Sequence, residues 1–408
     1  ALGLTGFVIL HFHAGGATQL GVQAAWNVLN EFTLTAIPLF ILLGDVLVAS
    51  GLSAGVYRAM APLFGRLPGG LLHTNIAVCT VFGAVSGSSM SVAAAVGSVA
   101  YPELKRRGYD RAAVVGSLAG GGTLGLLIPP SLSLLIYGAL TDTSIGKLFM
   151  AGVLPGLMMA GLFMALIAAT SIVRPSIAPE PAARESLGRA FAALLQVWPL
   201  AVLILAVLGS LFAGIATPTE AAGVGVAASI ALGFTIGSLT LRGLGEALMS
   251  TARTFAVIGV VFIGAVVLAQ SISILGLPQQ LLATVSALDI SRYWMLALIV
   301  FIYLILGCFF DGLSMMIMTL PIVFPLMTGL GFDAVWLGVL ITIMIEVGML
   351  TPPVGMNLFV LVGITGHEVR LGDAARASAP YWLALLAGVV ILTLAPGIAT
   401  WLPGLALR

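Results

Sequence analysis

The chain has 408 residues, of which 60% are hydrophobic and 8% charged, with a mean hydropathy of +1.17. An average soluble domain is about a quarter charged, so a water-soluble fold is excluded. A net charge of +1 leaves no basic surplus to neutralise phosphates, so no nucleic-acid partner is expected.

Cys79 and Cys308 lie in apolar runs and read as packing residues, not as a disulfide framework or a metal cage. The first residues, ALGLTGFVIL, carry no charged n-region. No signal peptide is read there, and the true N-terminus is expected upstream.

Eleven stretches of at least 18 residues contain no Asp, Glu, Lys or Arg, the length at which an apolar run becomes a membrane-span candidate. The alternation of about ten residues expected of a membrane barrel is absent. The fold class is therefore an all-α polytopic membrane protein. Fifty glycines and twenty prolines mark close helix contacts or broken helices whose freed backbone lines a cavity.

In chain order, residues 1–66 read as scaffold helices followed by an interfacial arm. Asp45 falls near the end of an early helix, where it is structural or interfacial, and Glu31 is interfacial. His11 and His13, two apart, point in different directions on a helix and make no metal pair. Residues 51–66 are amphipathic, too short and too charged to span, and are expected along the cytoplasmic interface. They form either an arm for a moving unit or a surface linker.

Residues 67–147 form a first unit. The uncharged stretch 67–102 has Arg66 at one end and Lys105 at the other, which predicts a re-entrant helical hairpin bent near SGSS (86–89), with His73 interfacial. The run 112–141 crosses once and is interrupted by IPPS. Residues 148–292 return to scaffold: a crossing at 148–173 leads to the loop of Arg174, Arg184 and Arg189. Crossings near 190–215, 221–241 and 254–275 follow, then a second interfacial stretch at 278–291. Residues 293–366 form a second unit, with a hairpin at 293–329 and a helix broken at TPPVG. His367 reads as interfacial, and 367–408 as a C-terminal transmembrane helix.

The two units are related. At a constant offset of 223, Pro102, Gly108, Asp110, Gly125, Pro129 and Pro130 fall on Pro325, Gly331, Asp333, Gly348, Pro352 and Pro353. These residues punctuate backbone and do not follow from apolar composition. The first unit's loop carries Lys105, Arg106, Arg107 and Arg111, whereas the loop around Asp333 carries neither Lys nor Arg. The positive-inside rule puts the loops on opposite faces. Inverted repeats follow, an architecture of secondary transporters. This topology places thirteen of the sixteen Lys and Arg in the cytoplasm, the exceptions being Lys147, Arg292 and Arg408.

Proline lacks an amide hydrogen, so each Pro-Pro pair leaves carbonyls of the preceding turn without helical partners. A broken helix thus offers carbonyls suited to sodium beside amide ends suited to a carboxylate. Ser86, Ser88, Ser89 and Ser131 are hydroxyl ligands of the right hardness for Na⁺, and Asp311, Ser314, Thr351 and Asn357 are their counterparts. An acid in an apolar run costs on the order of 3 kcal/mol, which singles out Asp45, Asp311 and Glu346. Asp311 stands at the second bend; Glu346 either serves the site or braces the break.

SGSSMSVAAAVG, YPELKRRGYDR, IPPSLSLLIYG and EVGMLTPPVGMN together closely resemble the large membrane subunit of tripartite ATP-independent periplasmic (TRAP) transporters, over essentially the whole chain. The resemblance implies an elevator-type fold like that of the ion-transporter superfamily, in which two hairpins and two broken helices move against a scaffold. It implies a sodium-driven importer of organic acids, such as a C4-dicarboxylate, sialic acid or a related carboxylate, in a bacterial inner membrane. Its partners would be a small four-helix membrane subunit, a periplasmic substrate-binding protein and membrane lipid. The family pattern places Na⁺ at Ser86, Ser88, Ser89, Gly125 and Pro129, and at Asp311, Gly312, Thr351 and Gly355. The substrate is then expected at Ser131, Asn357 and Ser314, with no organic cofactor. A stand-alone sodium/dicarboxylate carrier is the rival reading. SGSS is not the nucleophile elbow of a serine hydrolase, so no enzymatic activity is expected.

Overall fold

A computed structural model describes residues 1–179, 195–288 and 290–405. Arg184, Arg189, Arg408 and the start of the crossing expected near 190 lie outside the described residues. The described residues form helices and no strand.

The chain opens with α1 (Leu2–Phe12), α2 (Thr18–Leu29) and α3 (Ala36–Ala49). Gly51, at φ +66°, lets the chain turn 71° into α4 (Leu52–Phe64). The uncharged stretch 67–102 divides into α5 (Leu71–Ser86) and α6 (Ser89–Arg106). Gly87, at φ +62°, ends the first, and Ser88 caps the second by accepting from the Ser91 amide at 3.4 Å. Asp110 caps α7 (Arg111–Leu127), Ser131 caps α8 (Leu132–Thr141), and α9 (Ile145–Val173) follows.

Then come α10 (Leu195–Phe212) and α11 (Pro218–Thr235), the latter begun by a reciprocal Thr217–Glu220 capping box. Next is α12 (Leu241–Ile274), 34 residues long. The sequence suggested a crossing that starts only near 254. The helix instead starts at 241, because its charges do not interrupt it: Thr240 caps it, and Arg242 pairs with Glu246 one turn on at 3.0 Å. The remaining helices are α13 (Leu277–Ala287), α14 (Arg292–Gly307), α15 (Gly312–Gly329), α16 (Ala334–Leu350), α17 (Met356–Ile364), α18 (Leu371–Leu394) and α19 (Gly397–Leu405). The stretch read as one C-terminal helix is thus two, parted at Pro396, which cannot continue α18.

Among the described residues, six helical spans are long and apolar enough to cross a membrane, or seven if the bent α3–α4 pair is one span. That is fewer than the eleven uncharged stretches: 1–30 divides into α1 and α2, 67–102 into α5 and α6, α14 has 16 residues, 347–367 holds only the end of α16 and the nine-residue α17, and α11 is not among the six.

The two units fold alike. α6 and α15 both have 18 residues, α7 and α16 both have 17, and each pair starts 223 positions apart. Asp110 and Asp333 cap equivalent helices, accepting from Ala113 and Trp336 amides at 2.8 Å each. α7 ends at Ile128 (φ −80°, ψ 126°) and α16 at Thr351 (φ −91°, ψ 127°), again 223 apart. Pro129–Pro130 and Pro352–Pro353 are both cis. In each unit α7 or α16 packs against both arms of its bend, and α18 lies against both.

Glycine makes that packing close. A Cβ on Gly83 would lie 2.9 Å from the Cα of Gly125, and one on Gly348 would lie 2.7 Å from the Cα of Gly307. The obstacle is backbone, which cannot swing away. Gly348→Ala should therefore lower stability by about 1–3 kcal/mol, read as a fall in the Tm of the detergent-solubilised protein. Gly161→Ala, where a Cβ meets nothing within 4 Å, should not lower it.

One charged cluster ties the first unit's basic loop to the chain after the second. Glu368 pairs with Lys105 at 2.5 Å and with Arg111 at 3.3 Å, and accepts from the Tyr101 hydroxyl at 3.1 Å. The Lys105 hydrogen bond, before the other partners, holds the Glu368 carboxyl below the ordinary carboxylate range. A lowered folded-state pKa stabilises at pH values above the unfolded one, and that stabilisation is lost as pH falls through the folded value. Wild type should accordingly exceed Glu368→Gln in Tm at pH 7, with the difference vanishing as the pH is lowered below the normal range for glutamate.

Candidate functional site: two bends, two breaks and the bridge between them

The first bend lies against the first break. The Gly87 carbonyl accepts from the Leu132 amide at 3.3 Å. A Cβ on Gly125 would meet the Ser88 carbonyl at 2.9 Å, and one on Gly87 would meet the Pro130 carbonyl at 2.8 Å. Ser86, Ser88, Ser89, Gly125, Pro129 and Ser131 therefore occupy one neighbourhood, all buried except the half-buried Ser88. Pro130 has no amide hydrogen to offer the Leu126 carbonyl one turn back. That carbonyl takes hydroxyls instead, from Ser131 and, at 3.1 Å, from Ser133. Ser133 also lies 3.2 Å from the Thr342 hydroxyl on α16.

The second bend is built by the same rule with different groups. Asp311 occupies the place of Ser88 and accepts from the Ser314 amide at 3.0 Å. The Val354 amide donates to the Cys308 carbonyl at 3.3 Å, joining bend to break. Gly312 is buried where a side chain would collide with Ile345, and Gly355 turns the chain at φ +51°. The Thr351 hydroxyl donates to the Val347 carbonyl at 2.6 Å. Ser314 is half-buried, while Asp311, Pro352 and Pro353 are exposed. The first bend and break are thus enclosed, and the second are open.

A bridge joins the units. Asn357 donates from Nδ2 to the Ser89 hydroxyl at 2.6 Å, and Ser89 donates to Glu346 Oε2 at 3.4 Å. Ser89 is 1% exposed, Glu346 and Asn357 0%. Glu346 therefore reaches the opposite unit's bend and does not bond the nearby Thr351. Asn357, read as a second-unit group, likewise turns to the first unit. Sequence reasoning missed Ser133 and Thr342. The available signal was that Thr342 precedes Glu346 by four residues, which puts both on one helix face.

Among the described residues, Ser86 Oγ, Glu346 Oε1 and Asn357 Oδ1 are buried without a hydrogen-bond partner. A buried oxygen without a donor is costly. The donors gathered here are hydroxyl, carbonyl and carboxylate oxygens, hard ligands that suit an alkali cation and not a soft metal. The residues present fit Na⁺.

Residues 1–398 match the family described as the tripartite ATP-independent periplasmic transporter, DctM component. The chain belongs to this family. It is 34% identical to the C4-dicarboxylate TRAP transporter large permease protein DctM of Pseudomonas aeruginosa, over 99% of this chain and 93% of that protein. It is 30% identical to the sialic acid TRAP transporter large permease protein SiaM of Vibrio cholerae, over 98% and 92%. Its fold resembles the solved structure of Neisseria gonorrhoeae MtrF, described as illuminating a class of antimetabolite efflux pumps, with a TM-score of 0.62 and 11% identity over 93% of this chain and 85% of that one. With its membrane-length helices, the chain is a multi-pass membrane protein of the large-permease type.

The bridge has a measurable strength. Ser89→Ala removes the hydroxyl that donates to Glu346 and accepts from Asn357, leaving both fully buried groups without it. Stability should fall by about 1–3 kcal/mol, seen as a lower Tm. Ser98→Ala on the same helix, whose exposed side chain donates to the Ala95 carbonyl at 3.0 Å, should cost less.

Proposed function

We propose that this chain is the membrane permease of a TRAP transporter, carrying an organic carboxylate into the cell across a bacterial inner membrane with sodium as the coupling ion. It works with a small four-helix membrane subunit and a periplasmic substrate-binding protein. The observation that carries this reading is the equivalence of Ser88 and Asp311. At positions 223 apart, each caps the second arm of a bend, and the backbone beside each is bonded to a Pro-Pro break.

In this reading the units are inverted repeats, and each bend is the tip of a re-entrant hairpin. Ser86, Ser88, Ser89, Gly125 and Pro129 would hold one Na⁺, and Asp311, Gly312, Thr351 and Gly355 another. Ser131, Ser314 and Asn357 would face the carboxylate. The enclosed first bend, with α3 pressed on it where a Cβ on Gly44 would meet the Ser86 carbonyl at 2.7 Å, and the open second bend suit one end of an elevator cycle. The relatives named for C4-dicarboxylate and sialic acid support a carboxylate and leave its identity open.

No Lys or Arg lies in 67–102, 112–141, 312–332 or 334–366. Helix ends supply only about 0.3–1 kcal/mol each to an anion, so bound sodium must supply most of the positive charge. Substrate affinity of the solubilised protein should fall about tenfold or more without sodium, and substrate should tighten sodium by the same factor. Affinity independent of sodium would sink this placement of the site.

Asp311→Asn, Ser88→Ala and Thr351→Val should each raise the sodium concentration needed for half-maximal uptake into liposomes. Uptake should require an added binding protein; uptake without one would favour the stand-alone sodium/dicarboxylate carrier. Reporters fused near Arg107 and Gly331 should report opposite faces.

A further inference from the structure

Among the described residues, Glu346 is the one acidic side chain that is fully buried. It forms no salt bridge with any of them, and its Oε1 accepts no hydrogen bond from them. The cations of the helices packed on α16, and of α6, stand near helix ends: Lys105, Arg106, Arg111, Arg292 and Arg376 are exposed and Lys147 is half-buried. A buried carboxylate without a counter-charge is costly. The first bend has the opposite shortage. Residues 67–102 and 112–141 contain no Asp or Glu, so the groups assigned to its sodium are all neutral, whereas the second bend has Asp311 in the place of Ser88. Ser89 joins the two. A hydroxyl offers one proton and two acceptor lone pairs. Asn357 Nδ2 donates to one lone pair at 2.6 Å and the proton goes to Glu346 Oε2 at 3.4 Å, which leaves one lone pair of Ser89 for a cation.

We propose that Glu346 is the counter-charge of the sodium held at the first bend, acting through the Ser89 hydroxyl, so that the first unit's sodium site is completed by the second unit. The inference rests on the sodium reading given above. Glu346 is a positioning residue in this arrangement. By taking the Ser89 proton it turns the remaining lone pair of that oxygen away from itself, and its negative charge makes the Ser89 hydrogen bond a charge-assisted one. In an apolar surrounding the carboxylate and a nearby cation attract far more strongly than in water, so each offsets the cost of burying the other. Asn357 fixes the Ser89 oxygen from the opposite side. The two sodium sites are then alike in charge but not in origin: the second takes its carboxylate from its own bend, at Asp311, and the first borrows one from the other unit's broken helix.

The test reads sodium binding and not transport. The Tm of the purified full chain in detergent is followed as sodium chloride replaces choline chloride at constant ionic strength, and bound sodium is counted by equilibrium binding of the radioactive ion. Glu346→Gln, nearly equal in size, should weaken one sodium site about thirtyfold or more, as removal of one partner of a buried charge pair does. It should bind one sodium fewer than wild type at concentrations that saturate wild type. Its Tm in choline alone should equal or exceed that of wild type, because a buried charge without a partner has gone. Glu346→Asp keeps the charge but disturbs the packing more, and should retain more of the sodium response than Glu346→Gln; a purely structural role would reverse that order. Asp311→Asn combined with Glu346→Gln should abolish the response. A wild type that sodium stabilises no better than choline would remove the sodium reading and this assignment together. A wild-type midpoint and sodium count kept by Glu346→Gln, or a response larger in Gln than in Asp, would overturn this assignment alone.

Discussion

In hydrocarbon, an amide that leaves its helix can bond only to protein. This chain leaves its helices at both bends and both breaks, and each pair solves the problem together. The Leu132 amide, freed at the first break, is taken by the Gly87 carbonyl at the first bend; the Val354 amide, at the second break, is taken by the Cys308 carbonyl at the second bend. Bend and break are thus obligate neighbours. The glycine contacts between Gly83 and Gly125, and between Gly307 and Gly348, follow, because only bare backbone lets the two approach closely enough for those bonds.

That dependence explains what could be read from the amino acids alone. Proline pairs, capping aspartates and the glycines preceding the breaks are dictated by backbone geometry, so they recur at a fixed spacing and made the two-unit organisation legible. Charge marked where the chain leaves apolar surroundings, but not where a helix starts: α12 passes through Arg242, Glu246 and Arg253 without interruption. Contacts between the units were not legible at all. Nothing local in SGSS or TPPVGMN tells Ser89 and Asn357 to meet, or brings Glu346 to them, since such a bridge depends on how two distant units pack. The sequence alone therefore leaves the role of Glu346 open.

The bridge also changes how the two units relate. Each has its own bend and break, but Ser89 belongs to the first while Glu346 and Asn357 belong to the second. The oxygens left without donors, on Ser86, Glu346 and Asn357, are divided between the units. A charge that arrived to satisfy them would be felt on both sides of the interface. The bridge itself is three fully packed polar side chains in an apolar surrounding.

The length of α12 fixes a depth for Asp45. Thirty-four residues at about 1.5 Å each make a rod of about 51 Å, well beyond the roughly 30 Å of bilayer hydrocarbon. If its uncharged portion from 254 onward fills the oily layer, the first dozen residues project past it as a stalk. Thr251 lies at the foot of that stalk, and its hydroxyl holds Asp45 at 3.0 Å. On that placement Asp45 sits near the edge of the hydrocarbon, half-buried and held by the Thr251 hydroxyl.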